Sequence, residues 1–141
     1  MFNSISHAGI YVTDQDEALD FYVGKLGLEV RSDVDMEVMR WLTIGAPGQD
    51  QFQILLETPS NPLVDDEAKT QIEGLLSKGA LGLGFILHTD DCRKTFAELV
   101  EKGVEVTQEP TERFYGIDCG IRDPFGNHIR ITEPAAPEPP S

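Results

Sequence analysis

The chain has 141 residues, with 25 Asp and Glu against 11 Lys and Arg, a formal net charge of −14 and a pI near 4.4. So acidic a surface repels phosphate, which argues against a nucleic-acid partner and favours attraction of cations. No apolar run approaches the roughly 20 residues a bilayer-spanning helix requires, so a membrane partner is not expected either.

The length suits one domain with a real hydrophobic core, and the first residues show no basic patch followed by an apolar stretch, so residence in the cytoplasm is expected. Cys92 and Cys119 lack metal-like or redox-like spacing and read as reduced thiols. Acidic residues such as Asp14, Asp16, Glu17 and Asp20 read as solvated helix surface.

Residues 4–12 alternate as a strand. Asp14, with Glu17 three residues on, then starts a helix carrying Ala18, Phe21, Tyr22 and Leu26 on one side and stopped by Gly27. Residues 28–34 and 37–44 read as strands, with Met39, Trp41 and Thr43 on one face and Arg40, Leu42 and Ile44 on the other. After a turn at Ala46, Pro47 and Gly48, residues 51–58 form a strand in which Gln53, Leu55 and Glu57 share a face.

This first βαβββ module, residues 4–58, is followed by a linker and an amphipathic helix over 65–78, together residues 59–80. The second module spans 81–133. Strand 85–89 leads into a helix beginning at Asp90 and ending at Gly103. Strands follow at 104–108, 115–122 and 127–133, the last two joined by a tight turn at residues 123–127. Residues 134–141, half of them proline, are expected to be disordered and unpaired in any sheet. His128, just after the turn, is expected at the surface or capping it.

The two modules echo each other in letters. Thr13, Asp14, Gly27, Glu29 and Val30 recur as Thr89, Asp90, Gly103, Glu105 and Val106, all displaced by 76 residues without a gap. Paired modules of this kind often build a binding cleft between them. The fold class read from the chain is therefore α+β, two βαβββ modules forming a paired curved-sheet cleft.

The opening run from Ser6 to Val12, the helix Glu17-Ala18-Leu19-Asp20-Phe21-Tyr22 running into Leu26-Gly27-Leu28, and the segment Arg122-Asp123-Pro124-Phe125-Gly126-Asn127-His128-Ile129 together resemble the vicinal oxygen chelate superfamily. That group includes glyoxalase I, extradiol dioxygenases, fosfomycin-resistance enzymes, methylmalonyl-CoA epimerase and bleomycin-resistance proteins. The resemblance covers residues 4–133 and implies a homodimer. It also implies an inward-facing divalent-metal site with ligands from four strands, the metal stabilising an enolate or oxyanion. One fold hosts many functions, so the resemblance does not choose among them.

Carried onto this chain, the first metal ligand falls on His7. The second falls on the strand offering Gln53, Leu55 or Glu57, where only Gln53 or Glu57 can coordinate. The third falls on Gly84, or on Leu83 in the ungapped repeat, and the fourth on Arg130, where a carboxylate is usual. A permanent guanidinium repels a divalent cation. Recruitment of His88 and His128 instead is not expected, because His88 lies four residues along its strand from Gly84, about 13 Å, too far to reach the same ion as His7.

The expectation is thus no metal and no cofactor, with a small molecule bound in the cleft in the manner of bleomycin-resistance proteins. The alternative is a lyase, isomerase or dioxygenase-type enzyme, metal-dependent or not, using His7 with Gln53 or Glu57. A third reading is a structural or regulatory module with an empty cleft. The expected ligand-binding residues are His7, Tyr11, Trp41, Gln53, Leu55, Glu57, Phe114, Tyr115 and Arg130, with His7 also the candidate general base. Arg130 is expected either to grip an anionic group of the ligand or to pair internally with Glu57, and Trp41 either to line the pocket or to sit in the core.

Overall fold

The computed structural model describes residues 1–136 and separates into two compact units, Met1–Ala80 and Leu81 onward. In the first unit β1 (His7–Tyr11) leads to α1 (Gln15–Leu19), which continues into a π-helical turn, Asp20–Lys25. Strands β2 (Glu29–Asp35), β3 (Arg40–Gly45) and β4 (Gln53–Glu57) follow, then α2 (Asp66–Ser77). The sheet order is β1-β4-β3-β2, with β1 parallel to β4 and the other pairs antiparallel.

One face of this sheet is sealed by its own helix. Val12, Leu42, Ile44 and Leu56 are fully buried together with Ala18 and Tyr22 from the helical segment, which forms the apolar core. The helix starts where an acceptor is available: Asp14 is extended, and its carboxylate accepts from the Glu17 amide at 2.9 Å.

The second unit repeats the topology with β5 (Leu83–His88), α3 (Cys92–Glu101), β6 (Glu105–Arg113), β7 (Gly116–Arg122) and β8 (His128–Pro134), ordered β5-β8-β7-β6. Cys92 and Leu99 of α3 are buried together with Cys119, Ile121, Ile129 and Ile131 of the sheet. The β7–β8 turn is held by Asp123. Its Oδ1 accepts from the amides of Phe125, Gly126 and Asn127 at 2.8–3.0 Å, and its Oδ2 from the Asn127 side chain at 2.7 Å.

Several boundaries differ from those expected. Strand β3 starts at Arg40 rather than residue 37, because Glu37 takes a positive φ of 66° in the turn. Strand β6 runs on to Arg113 through Pro110, which the sheet tolerates at its edge beside an irregular register between Gln108 and Thr111. Pro134 is not outside the sheet but ends β8, opposite Gly116. The remainder of the expected disordered tail, residues 137–141, lies outside the described residues.

The ungapped repeat proves to hide two compensating insertions. Strand β5 carries an extra residue, seen as a register shift between Leu83 and Phe85, so the α3 cap is Asp91 rather than Asp90 and its carboxylate accepts from Lys94 N at 3.0 Å. The π-helical turn then adds one residue to the first copy, and the two copies realign at Gly27 and Gly103, both at positive φ after their helices. Tyr11 therefore corresponds to His88, and Gly9 to Ile86, not to the residues 76 positions on.

Candidate functional site

In each unit the sheet face away from the helix is open. On the first, the parallel register sets His7 beside Gln53, Gly9 beside Leu55 and Tyr11 beside Glu57, while β3 adds Thr43 opposite Leu55 and Trp41 two residues before it. Six of the sequence-predicted site residues, His7, Tyr11, Trp41, Gln53, Leu55 and Glu57, thus share one surface. The register also settles which fourth-strand residue stands next to His7. It is Gln53, with Glu57 four residues further along, about 13 Å away at strand rise.

His7 is exposed, with its Nδ1 2.8 Å from the Ser6 hydroxyl and its ring 5.8 Å from that of Trp41. Gln53 is held by the buried Thr43, whose hydroxyl donates to Gln53 Oε1 at 2.6 Å. Trp41 is half-buried on the open face rather than in the core.

Beside it lies a pocket of about 190 Å³ with apolar walls from Met39, Trp41, Leu55 and Leu63. Its polar lining is almost wholly committed to the protein. The Gln15 amide donates to the carbonyls of Arg40 (3.0 Å) and Leu56 (2.8 Å), and Asn61 donates to Thr58 O (3.2 Å) while accepting from Leu63 N (2.9 Å). Arg40 is clamped by Asp33 at 2.8 Å and Asp16 at 2.7 Å, pairs that hold the guanidinium charged and keep Asp33 acidic. Glu57 is different: burial raises its carboxyl above the ordinary 4.5, and among the described residues no side chain pairs with it.

On the second unit's open face Arg130 lies opposite Ile86 on β5 and Gly120 on β7. Its guanidinium pairs with the buried Asp118, and donates to Gln108 Oε1 at 3.0 Å. Asp118 also accepts from the Tyr115 hydroxyl at 2.9 Å, with Arg113 at 3.9 Å. Although burial alone would raise the Asp118 carboxyl, the hydrogen bonds from Arg130 and Tyr115 and the nearby charges outweigh it and hold the group below its usual range.

The expected partner Glu57 is thus replaced by Asp118, which pattern reasoning missed because a lone Asp between Ile117 and Cys119 carries no motif. Phe114, 97% exposed, stands at the tip of the β6–β7 hairpin against Tyr115. His128 is half-buried at the start of β8, where its backbone pairs with Arg122 and Leu83 in the sheet.

These donors do not fit the divalent metal that the resemblance implies. Gln53 Oε1 is taken by Thr43, a guanidinium stands at the last ligand position, and the β5 residue opposite it is Ile86. Within either unit, no three His, Cys, Asp or Glu side chains converge among the described residues. No described helix is long and apolar enough to cross a membrane.

Comparison with known proteins agrees with this architecture. A solved structure of UcmS2 superposes with a TM-score of 0.88 at 35% identity, covering 94% of this chain and 99% of that one. TnmS3, described as an antibiotic binding protein from Streptomyces sp. CB03234, superposes with a TM-score of 0.75 at 28% identity over 95% and 98% of the two chains. The uncharacterized protein YurT of Bacillus subtilis (strain 168) is 35% identical over 125 residues, 88% of this chain and 94% of its own length. Residues 4–131 match the family model described as Glyoxalase/Bleomycin resistance protein/Dioxygenase superfamily, and the chain belongs to that superfamily.

Proposed function

We propose that the protein is a metal-independent binder of small molecules, which it holds on the open face of the first unit with one flat, apolar fragment seated between Trp41 and Leu55. The observation that carries this reading is the pocket itself: apolar walls, a rim of polar groups already hydrogen-bonded to the protein, and a single carboxylate free to meet a ligand. The similarity to an antibiotic-binding protein supports the class of ligand. The mismatch between the donor set and a divalent ion supports binding over metal-assisted catalysis.

Trp41 is the chain's one tryptophan, so its emission is a built-in reporter. Titration with flat aromatic compounds is expected to change that emission saturably, with matching heat in calorimetry, and Trp41→Phe is expected to weaken binding without loss of fold. A flat titration across neutral, cationic and anionic aromatics would remove the reading. So would one equivalent of tightly held divalent metal lost on His7→Ala.

A further inference from the structure

The pocket beside Trp41 presents its polar groups in a lopsided way. Gln15 spends both amide protons on backbone carbonyls, Asn61 closes its own turn, and Arg40 is held between two carboxylates. Glu57, half-buried, is the one charged lining group that meets neither a cation nor a donor among the described residues, and beside it the Thr58 hydroxyl is the other polar side chain left to a ligand. Space has been left for it as well: a Cβ on Gly9 would stand 3.1 Å from Glu57 Oε2, so any larger residue there would push the carboxylate aside.

A carboxylate partly withdrawn from water without a partner is disfavoured, and a ligand that supplies a donor offsets that cost. The second unit shows what satisfaction looks like in this fold, since Asp118 is met by Arg130 and Tyr115. With Arg130 committed to Asp118, its guanidinium is already neutralised without Glu57.

We propose that Glu57 is the specificity-determining residue of this pocket and selects ligands bearing a protonated nitrogen on a flat ring system. The ring packs on Trp41 and the N–H group donates to the carboxylate. The inference rests on the pocket reading above and adds the chemistry of the ligand. The charge of −14 draws a cation from a distance, and the indole face favours it at contact. A volume of about 190 Å³ is below the roughly 300–1,000 Å³ of sites that enclose a whole drug-sized molecule, so the pocket takes one charged ring fragment of a larger compound.

Three tricyclic probes of similar shape test this: proflavine as the cation, acridone as the neutral form and acridine-9-carboxylate as the anion. Each is titrated by calorimetry into wild type, Glu57→Gln and Trp41→Phe, with Trp41 emission followed in the first two. The proposal expects wild type to prefer proflavine over acridone by at least tenfold, Glu57→Gln to erase that preference by weakening proflavine at least tenfold more than acridone, and Trp41→Phe to weaken both. If Glu57→Gln binds proflavine as wild type does, or wild type prefers the anion, the role of Glu57 is wrong while the pocket stands. If none of the probes binds saturably to any of the three proteins, the pocket reading and this inference fail together. Circular dichroism and melting of Glu57→Gln separate lost recognition from lost fold.

Discussion

The two open sheet faces share a topology and differ in how each treats its carboxylate, buried Asp118 on one and half-buried Glu57 on the other. Asp118, in the second unit, is met by a guanidinium and a phenol and is held more acidic than usual. Glu57, in the first, is met by neither and is held less acidic. The lesson is that a duplicated frame is kept by its core while its faces drift apart. One face has closed on itself with Arg130, Asp118, Gln108 and Tyr115, and the other keeps an apolar wall and an unmet acceptor, the usual mark of a surface shaped for something else.

The sharpest way to break this contrast is to open the closed face. Arg130→Met leaves Asp118, whose side chain is 5% exposed, charged without its main partner, and removing one member of such a pair costs about 3–5 kcal/mol. For a chain of this size that corresponds to a melting temperature lower by roughly 10 °C. Arg130→Met with Asp118→Leu should recover most of the loss, because the stranded charge is then gone. Equal melting of wild type and the single variant would mean that the pair contributes nothing and that Arg130 is free for a ligand after all.

A smaller effect tests the internal symmetry. Asp91→Ala removes the carboxylate that caps α3 and should cost about 1 kcal/mol, whereas Asp90→Ala should cost a few tenths at most. Chemical denaturation of both variants decides it, and a larger loss at Asp90 would restore the ungapped alignment.

That pair of aspartates also shows what the sequence could and could not reveal. The strands, the helices and the shared face of Gln53, Leu55 and Glu57 were legible because period-two and helical patterns are local. The extra residue in β5 and the π-helical turn were not. Each shifts the register by one, they cancel, and the matching letters of Thr13-Asp14 and Thr89-Asp90 made the gapless alignment look correct. The partner of Arg130 was hidden for another reason: a pairing across two strands is set by the sheet register, which puts Arg130 opposite Gly120 and so diagonal to Asp118, a relation no local pattern carries. Trp41 stood between core and pocket because its alternating strand gives both faces apolar residues; which face the helix covers is decided by packing alone.

The finest test concerns Glu57 in the absence of any ligand. A carboxyl whose folded value lies above its ordinary 4.5 holds its proton longer in the native state than in the unfolded chain. Below that ordinary value it is protonated in both states and contributes no difference. As pH rises through 4.5 the unfolded chain releases its proton first, so the group's contribution to stability falls until the folded carboxyl has ionised as well. Glu57→Gln removes this term and nothing else that titrates, so Arg40, Asp33 and Asp16 cancel between the two proteins. The variant should melt with wild type at pH 4 and slightly above it at pH 7, a small gain in stability at a site where the proposal expects a loss of cation binding. Coincident melting at both values, or a wild type that is more stable at pH 7, would show that Glu57 already has a partner in the native protein, and the unmet acceptor on the first face would no longer distinguish it from the second.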